Sequence, residues 1–145
     1  MIQDDPYDLQ RFISAQEGVY ERALAELQSG KKRSHWMWFI FPQVEGLGQS
    51  PTSKYYAITS AAEAREFLAH PLLGARLHEC AEAVLILEGR SASEVFGFPD
   101  DLKFRSCMTL FAEIAGAESV FARVLKQVFD DQRDRQTLEF LARGR

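Results

Sequence analysis

Pro99-Asp100-Asp101-Leu102-Lys103-Phe104-Arg105-Ser106-Cys107-Met108-Thr109-Leu110-Phe111-Ala112-Glu113-Ile114-Ala115 is the stretch on which the fold class turns. Phe104, Cys107, Met108, Phe111 and Ala115 share one stripe of a helix, which makes this the most amphipathic element of the chain. Proline followed by two aspartates suits a helix start, because the acidic side chains complement the positive end of the helix dipole. Downstream, the pattern predicts helices from about Glu118 to Phe129 and from Asp134 to Ala142. Sustained β-type alternation is absent, so the expected class is all-α.

Upstream the same periodicity continues. Leu9, Phe12, Ile13, Val19, Tyr20, Ala23, Leu24 and Leu27 predict one first helix, begun by Asp5-Pro6 and stopped by Gly30. Ser60-Ala61-Ala62-Glu63 has the spacing of a capping box, and a helix to about Ala69 follows. Pro71 opens another, with Leu73, Leu77, Cys80, Ala81, Val84 and Leu85 as its buried stripe and Gly89 at its end. A short helical turn is expected near Ser93 to Phe96. The total is six to eight helices in a single domain spanning residues 1–145, since no repeat, low-complexity tract or Gly/Pro/Ser linker divides the chain.

Composition bounds the function. A chain of 145 residues with 46% hydrophobic and 26% charged residues is ordinary for a globular domain with one real core. Its net charge of −4 argues against bulk nucleic-acid binding, although a cleft can still hold one phosphate. Cys80 and Cys107 stand apart, neither in a C-x-x-C pair nor beside a histidine, and read as small buried apolar residues. The start, Met1-Ile2-Gln3-Asp4-Asp5-Pro6, is acidic and lacks the basic end and apolar stretch of a secretory leader. Trp36 to Phe41, the longest apolar run, falls far short of the roughly 20 residues that span a bilayer. A cytoplasmic location without membrane association is the expectation.

The run Ser34-His35-Trp36-Met37-Trp38-Phe39-Ile40-Phe41, preceded by Lys31, Lys32 and Arg33 and closed by Pro42, is the least ordinary segment. As a strand it puts Trp36 and Trp38 on one face, while as a short helix it separates them by about 200°. Gln43 to Ser53, with Gly46, Gly48 and Pro51, reads as a surface loop. Trp36 and Trp38 beside this loop suit an aromatic platform for a planar ring; the plainer reading is that the run fills the core. His35 is the histidine best placed for proton transfer, with a hydrogen-bonded structural role as the plainer alternative. At the start of the Pro99 helix, Asp101 is a candidate general base, and Lys103 and Arg105 flank the apolar stripe on opposite sides. A capped surface helix carrying ion pairs is the competing account. His70 and His78 do not form a ligand pair, so neither a metal nor a cofactor is expected.

Several of these segments resemble a bacterial-type family of domains of unknown function numbered 1810. They are Asp5 to Phe12, Lys32 to Gln43, Gly46-Leu47-Gly48, Tyr56-Ala57-Ile58, His70 to Gly74 and Phe98 to Phe111. The likeness covers nearly the whole chain and implies a small helical domain without bringing an established activity. Some relatives carry the label calpastatin, which would imply a calpain inhibitor. Such inhibitors are disordered repeat proteins, whereas this composition is that of a folded core. A fainter likeness, in the order of an aromatic-Phe-Pro segment, a Tyr-containing helix start and a charged helix, is to domains of NAD and ADP-ribose metabolism. Ser53-Lys54-Tyr55-Tyr56 departs from it by lacking a catalytic glutamate.

The resulting expectation is a domain that binds or processes a phosphorylated, nucleotide-like anionic small molecule related to NAD or ADP-ribose. In it Trp36 and Trp38 give aromatic surface, Lys103 and Arg105 neutralise phosphate and Gln43 makes a polar contact. His35 or Asp101 would manage a proton if the domain is catalytic. The alternative is a non-catalytic protein-interaction module. The sequence sets neither the reaction nor the oligomeric state.

Overall fold

A computed structural model describes residues 4–144. Met1 to Gln3, which belong to the acidic start, lie outside the described residues. Ten helices and no strand are found among the described residues, so the all-α class stands while the expected number of helices was too low. Two features account for most of the difference. The predicted first helix is two, α1 (Gln10–Gln16) and α2 (Tyr20–Gln28), because Gly18 takes φ +75° between them. That left-handed conformation costs glycine little, and it turns α2 toward a different neighbour from α1. The segment Gln43 to Ser53, expected as loop, runs into a short helix, α4 (Pro51–Tyr55), with Pro51 at its first turn and the Ser50 hydroxyl accepting from the Ser53 amide at 3.1 Å.

The ambiguous aromatic run forms α3 (Met37–Ile40), one helical turn, so its two tryptophans diverge. Then come α5 (Ala61–Ala69), α6 (Leu73–Ile86), α7 (Ala92–Phe96), α8 (Asp100–Ala115), α9 (Val120–Phe129) and α10 (Arg135–Arg143). Helices α6 and α8 are central: α2 packs on α6, α3, α7 and α10 pack on α8, and α5 and α9 touch both. Surrounded in this way, α8 is not the most one-sided helix that its stripe suggested. Ser106, Thr109, Leu110 and Ala112 are buried along with Phe104, Cys107, Met108 and Phe111. The strongest one-faced pattern belongs to α9 and α10, which lie on the outside.

Aromatic rings join the layers. Phe12, Phe67, Phe111 and Phe121 form a continuous series with centroid separations of 5.0, 5.6 and 5.8 Å, linking α1 to α5, α8 and α9. A second series runs from Trp36 through Phe41 and Phe104 to Phe129. Each of these ring pairs contributes roughly 0.5–1.5 kcal/mol beyond area burial. Where α5 hands over to α6, a Cβ on Gly74 would stand 2.0 Å from the carbonyl oxygen of Leu68, so only glycine permits this approach.

Helix starts also depart from expectation. The Ser60 hydroxyl accepts from the Glu63 amide at 3.0 Å, but the Glu63 carboxylate goes to Thr59 and Arg11 instead of closing the box. The complete capping box lies at Ser91 and Glu94. Pro71 does not act alone before α6, since Nδ1 of His70 accepts from the amides of Leu72 and Leu73. No helix of the described residues is long and apolar enough to cross a membrane.

Candidate functional site

The principal concavity is a groove of about 840 Å³ between the end of α10, the loop from Gln43 to Gln49, α4 and the first turns of α5. Its construction begins with Arg11 on α1. All five guanidinium N–H groups are used: Nε donates to the Tyr55 carbonyl at 2.9 Å, Nη1 to those of Tyr7 and Asp8, and Nη2 to that of Ala57 at 3.0 Å and to Glu63 at 2.7 Å. Glu63 is 2% exposed, and its other oxygen accepts from the amide and hydroxyl of Thr59. A carboxylate so deeply buried is tolerated because the Arg11 guanidinium supplies the counter-charge and each of its two oxygens meets a donor. The effect is to fix Tyr55 to Thr59, which forms one wall of the groove.

The facing loop is fastened to that wall. Val44 and Ile58 form a parallel bridge, in which the Ile58 amide donates to the Gln43 carbonyl at 2.8 Å and the Glu45 amide to the Ile58 carbonyl at 3.0 Å. The third wall, α10, is held through α8: the Asp134 amide donates to the Thr109 hydroxyl at 2.9 Å, and the Asp134 carboxylate accepts from the amide and hydroxyl of the buried Thr137.

Side chains from distant segments meet here. Trp38, Tyr56 and Phe140 give aromatic lining, and Gln43, Gln49, Ser53 and Thr59 give polar groups. Burial raises the Tyr56 phenol above its ordinary range, with Tyr55 adding to the rise and Arg11 opposing it. The charged residues are Lys54, Arg65 and Arg143 against Glu45. None of the three cations is ion-paired among the described residues. The amides of Ala61 and Ala62, which line the groove at the start of α5, have no protein acceptor among the described residues. Nε1 of Trp38 is buried and also lacks an acceptor. No group of histidine, cysteine and acidic residues able to hold a metal occurs among the described residues.

The residues singled out from sequence are divided by this arrangement. Trp38 and Gln43 line the groove. Trp36 is fully buried in the core, and its Nε1 donates to Glu26 at 2.8 Å. Lys103 does not line the groove, but its ammonium is 5.5 Å from the Trp38 ring centroid. Arg105 lies away from the groove, half-buried, with a buried Nε that has no acceptor. His35 is exposed and Asp101 sits in the first turn of α8, accepting from the Leu102 amide; neither lines the groove. Lys54 and Tyr56, which with Tyr55 read in the sequence as either surface residues or site residues, line the groove. Arg65 follows the small residues Ala61 and Ala62 by one turn, a spacing that leaves room beside it, whereas nothing in the sequence marks Glu45 or Arg143.

Near Trp36 the electrostatics are of another kind. The Glu26 carboxylate accepts from the amides of Arg33 and Ser34, the Ser34 hydroxyl and the Trp36 indole. Partial burial works to raise its pKa, but the donors from Ser34, Arg33 and Trp36 prevail and lower it to about 2. The two cysteines are free and buried; burial pushes the Cys80 thiol up to about 12 and that of Cys107 well above its ordinary value. Such thiols are poor nucleophiles.

The comparisons with known proteins agree on kinship. The family described as "Protein of unknown function (DUF1810)" matches residues 6–141. A crystal structure of the conserved hypothetical protein Rv1873 from Mycobacterium tuberculosis is 50% identical, covers 95% of this chain and 99% of its own, and superposes with a TM-score of 0.93. No curated protein matches the chain. The likeness to domains of NAD and ADP-ribose metabolism has no counterpart in these comparisons. A match over nearly the full length, together with a half-identical relative of the same fold, means that this chain belongs to the DUF1810 family.

Proposed function

We propose that the groove binds a phosphorylated, ring-bearing small molecule of the nucleotide class. The observation that carries this reading is a local reversal of charge. A chain of net charge −4 gathers Lys54, Arg65 and Arg143 around one groove with Glu45 as the opposing carboxylate. Cations concentrated in a concave, low-dielectric setting focus the field on an anion. Trp38, Tyr56 and Phe140 supply faces for a planar ring, and Gln43 and Glu45 suit the hydroxyls of a sugar. The volume lies within the roughly 300–1,000 Å³ typical of ligand clefts.

A thermal-denaturation screen against ADP-ribose, NAD, nucleoside monophosphates and sugar phosphates tests it. A ligand at about 100 times its Kd adds about 2.7 kcal/mol, worth a rise of roughly 5–10 °C in a domain of this size. That rise should shrink when Arg65 and Arg143 are both replaced by alanine. A flat response across the panel would overturn the reading.

The second reading, a protein-interaction module, is favoured by one observation. Phe98, in the turn just before α8, and Leu102, in the first turn of that helix, are 79% and 42% exposed. Concentration-dependent self-association that disappears in Phe98→Ser would support it, and an unchanged sedimentation profile would not.

A further inference from the structure

We infer that Lys103 sets the charge preference of the ring position, so that the groove takes a neutral base and rejects a cationic pyridinium ring; this rests on the nucleotide reading above. Lys103 holds its ammonium 5.5 Å from the centroid of the Trp38 ring, yet it is not a groove residue. The ammonium therefore stands beside an indole that lines the groove, without itself lining it. The Lys103 ammonium is 3.4 Å from Oδ1 of Asp100, whose Oδ2 meets the Lys32 ammonium at 2.9 Å. Lys32 is itself 5.1 Å from the Trp36 centroid and nearly buried. One carboxylate is thus shared by two ammonium groups, so these three groups together keep a net positive charge.

An aromatic ring attracts a cation through its quadrupole, and Trp38 already has one ammonium near it. A second cation stacked about 3.5 Å over the same ring would lie no more than about 9 Å from the first, where repulsion costs at least about twofold in affinity, and about twentyfold at a lower effective dielectric constant. A neutral ring of the same shape escapes that cost. Lys103 acts through Trp38, so it is a positioning residue for the ligand's base and makes no contact with the ligand.

Oxidised and reduced nicotinamide mononucleotide provide the test, since they share a ribose phosphate and differ in the charge of the ring. Titration calorimetry of the full chain at pH 8, with adenosine monophosphate as a third ligand, should show the reduced form binding about fivefold more tightly than the oxidised form. Lys103→Met should bring that ratio below about twofold without loss of thermal stability, and Lys103→Arg should preserve it. Equal affinities in the wild type, or an unchanged ratio in Lys103→Met, would overturn the inference and leave the nucleotide reading standing. Absence of binding by all three ligands would overturn both.

Discussion

Trp36 and Trp38 are two residues apart and occupy opposite kinds of environment. The first is fully buried, with its N–H on a carboxylate that also collects the backbone of its own loop. The second has a buried N–H with no acceptor, a lysine against its ring and a groove beside it. The contrast extends to their surroundings. Around Glu26 and around Glu63, each carboxylate oxygen meets a donor; in the groove, Lys54, Arg65 and Arg143 form no ion pair among the described residues. Polar groups whose partners lie within the chain hold the fold, and those without them are where affinity for another molecule resides.

The largest effect that sharpens this contrast is at Glu63. Glu63→Ala leaves the buried Arg11 without its counter-charge and should cost about 3–5 kcal/mol in urea denaturation. A cost under about 1 kcal/mol would show the pair to be exchangeable with solvent and would end the distinction between saturated and unsaturated regions.

Next is Glu26. Its pKa falls from 4.5 in an open chain to about 2 in the fold, so its contribution is complete above pH 4.5 and is lost as the pH falls toward 2. Glu26→Gln should cost about 1.5–3 kcal/mol at neutral pH and flatten the acid limb of the stability profile between those values. An acid limb as steep as that of the wild type would reject the assignment.

The tryptophans themselves follow. Trp36→Phe should destabilise by about 1–3 kcal/mol, since packing and a charged hydrogen bond are both lost. Trp38→Phe removes a donor that has no acceptor and should stay within about 0.5 kcal/mol of the wild type, or gain slightly. Equal losses at the two positions in parallel denaturation curves would erase the comparison with which the two residues began. Smallest in stability is Arg65→Ala, expected within about 0.5 kcal/mol of the wild type, with its effect confined to ligand titrations.

Much of the helical layout was legible before any coordinates, because α5, α6 and α8 to α10 carry apolar stripes and start or stop residues that act locally. The break at Gly18 was not, since the apolar spacing of Leu9 to Leu27 runs on through it and a single glycine is compatible with an unbroken helix. The groove was legible at Trp38 and Gln43, which adjoin an unusual aromatic run, and less distinctly at Lys54 and Tyr56, which read equally well as surface residues. Arg65 and Arg143 sit in ordinary amphipathic sequence and acquire meaning only when α4, α5 and α10 converge. His35 and Asp101 attracted notice by chemical type, and type does not fix which side of a helix a residue occupies.

Arg11 gives this convergence a kinetic side. Its partners Tyr55, Ala57 and Glu63 lie 44 to 52 positions further along the chain. Local bonds such as Tyr56 to Thr52, Ala57 to Lys54 and Thr59 to Glu63 shape the rim, but its full set of hydrogen bonds cannot form before the first helix brings Arg11 to it. Amide exchange at Thr59, whose N–H is held by Glu63, should accordingly follow the opening of the whole domain instead of the quick fraying usual for a surface loop. Such a groove is either present in full or lost together with the fold.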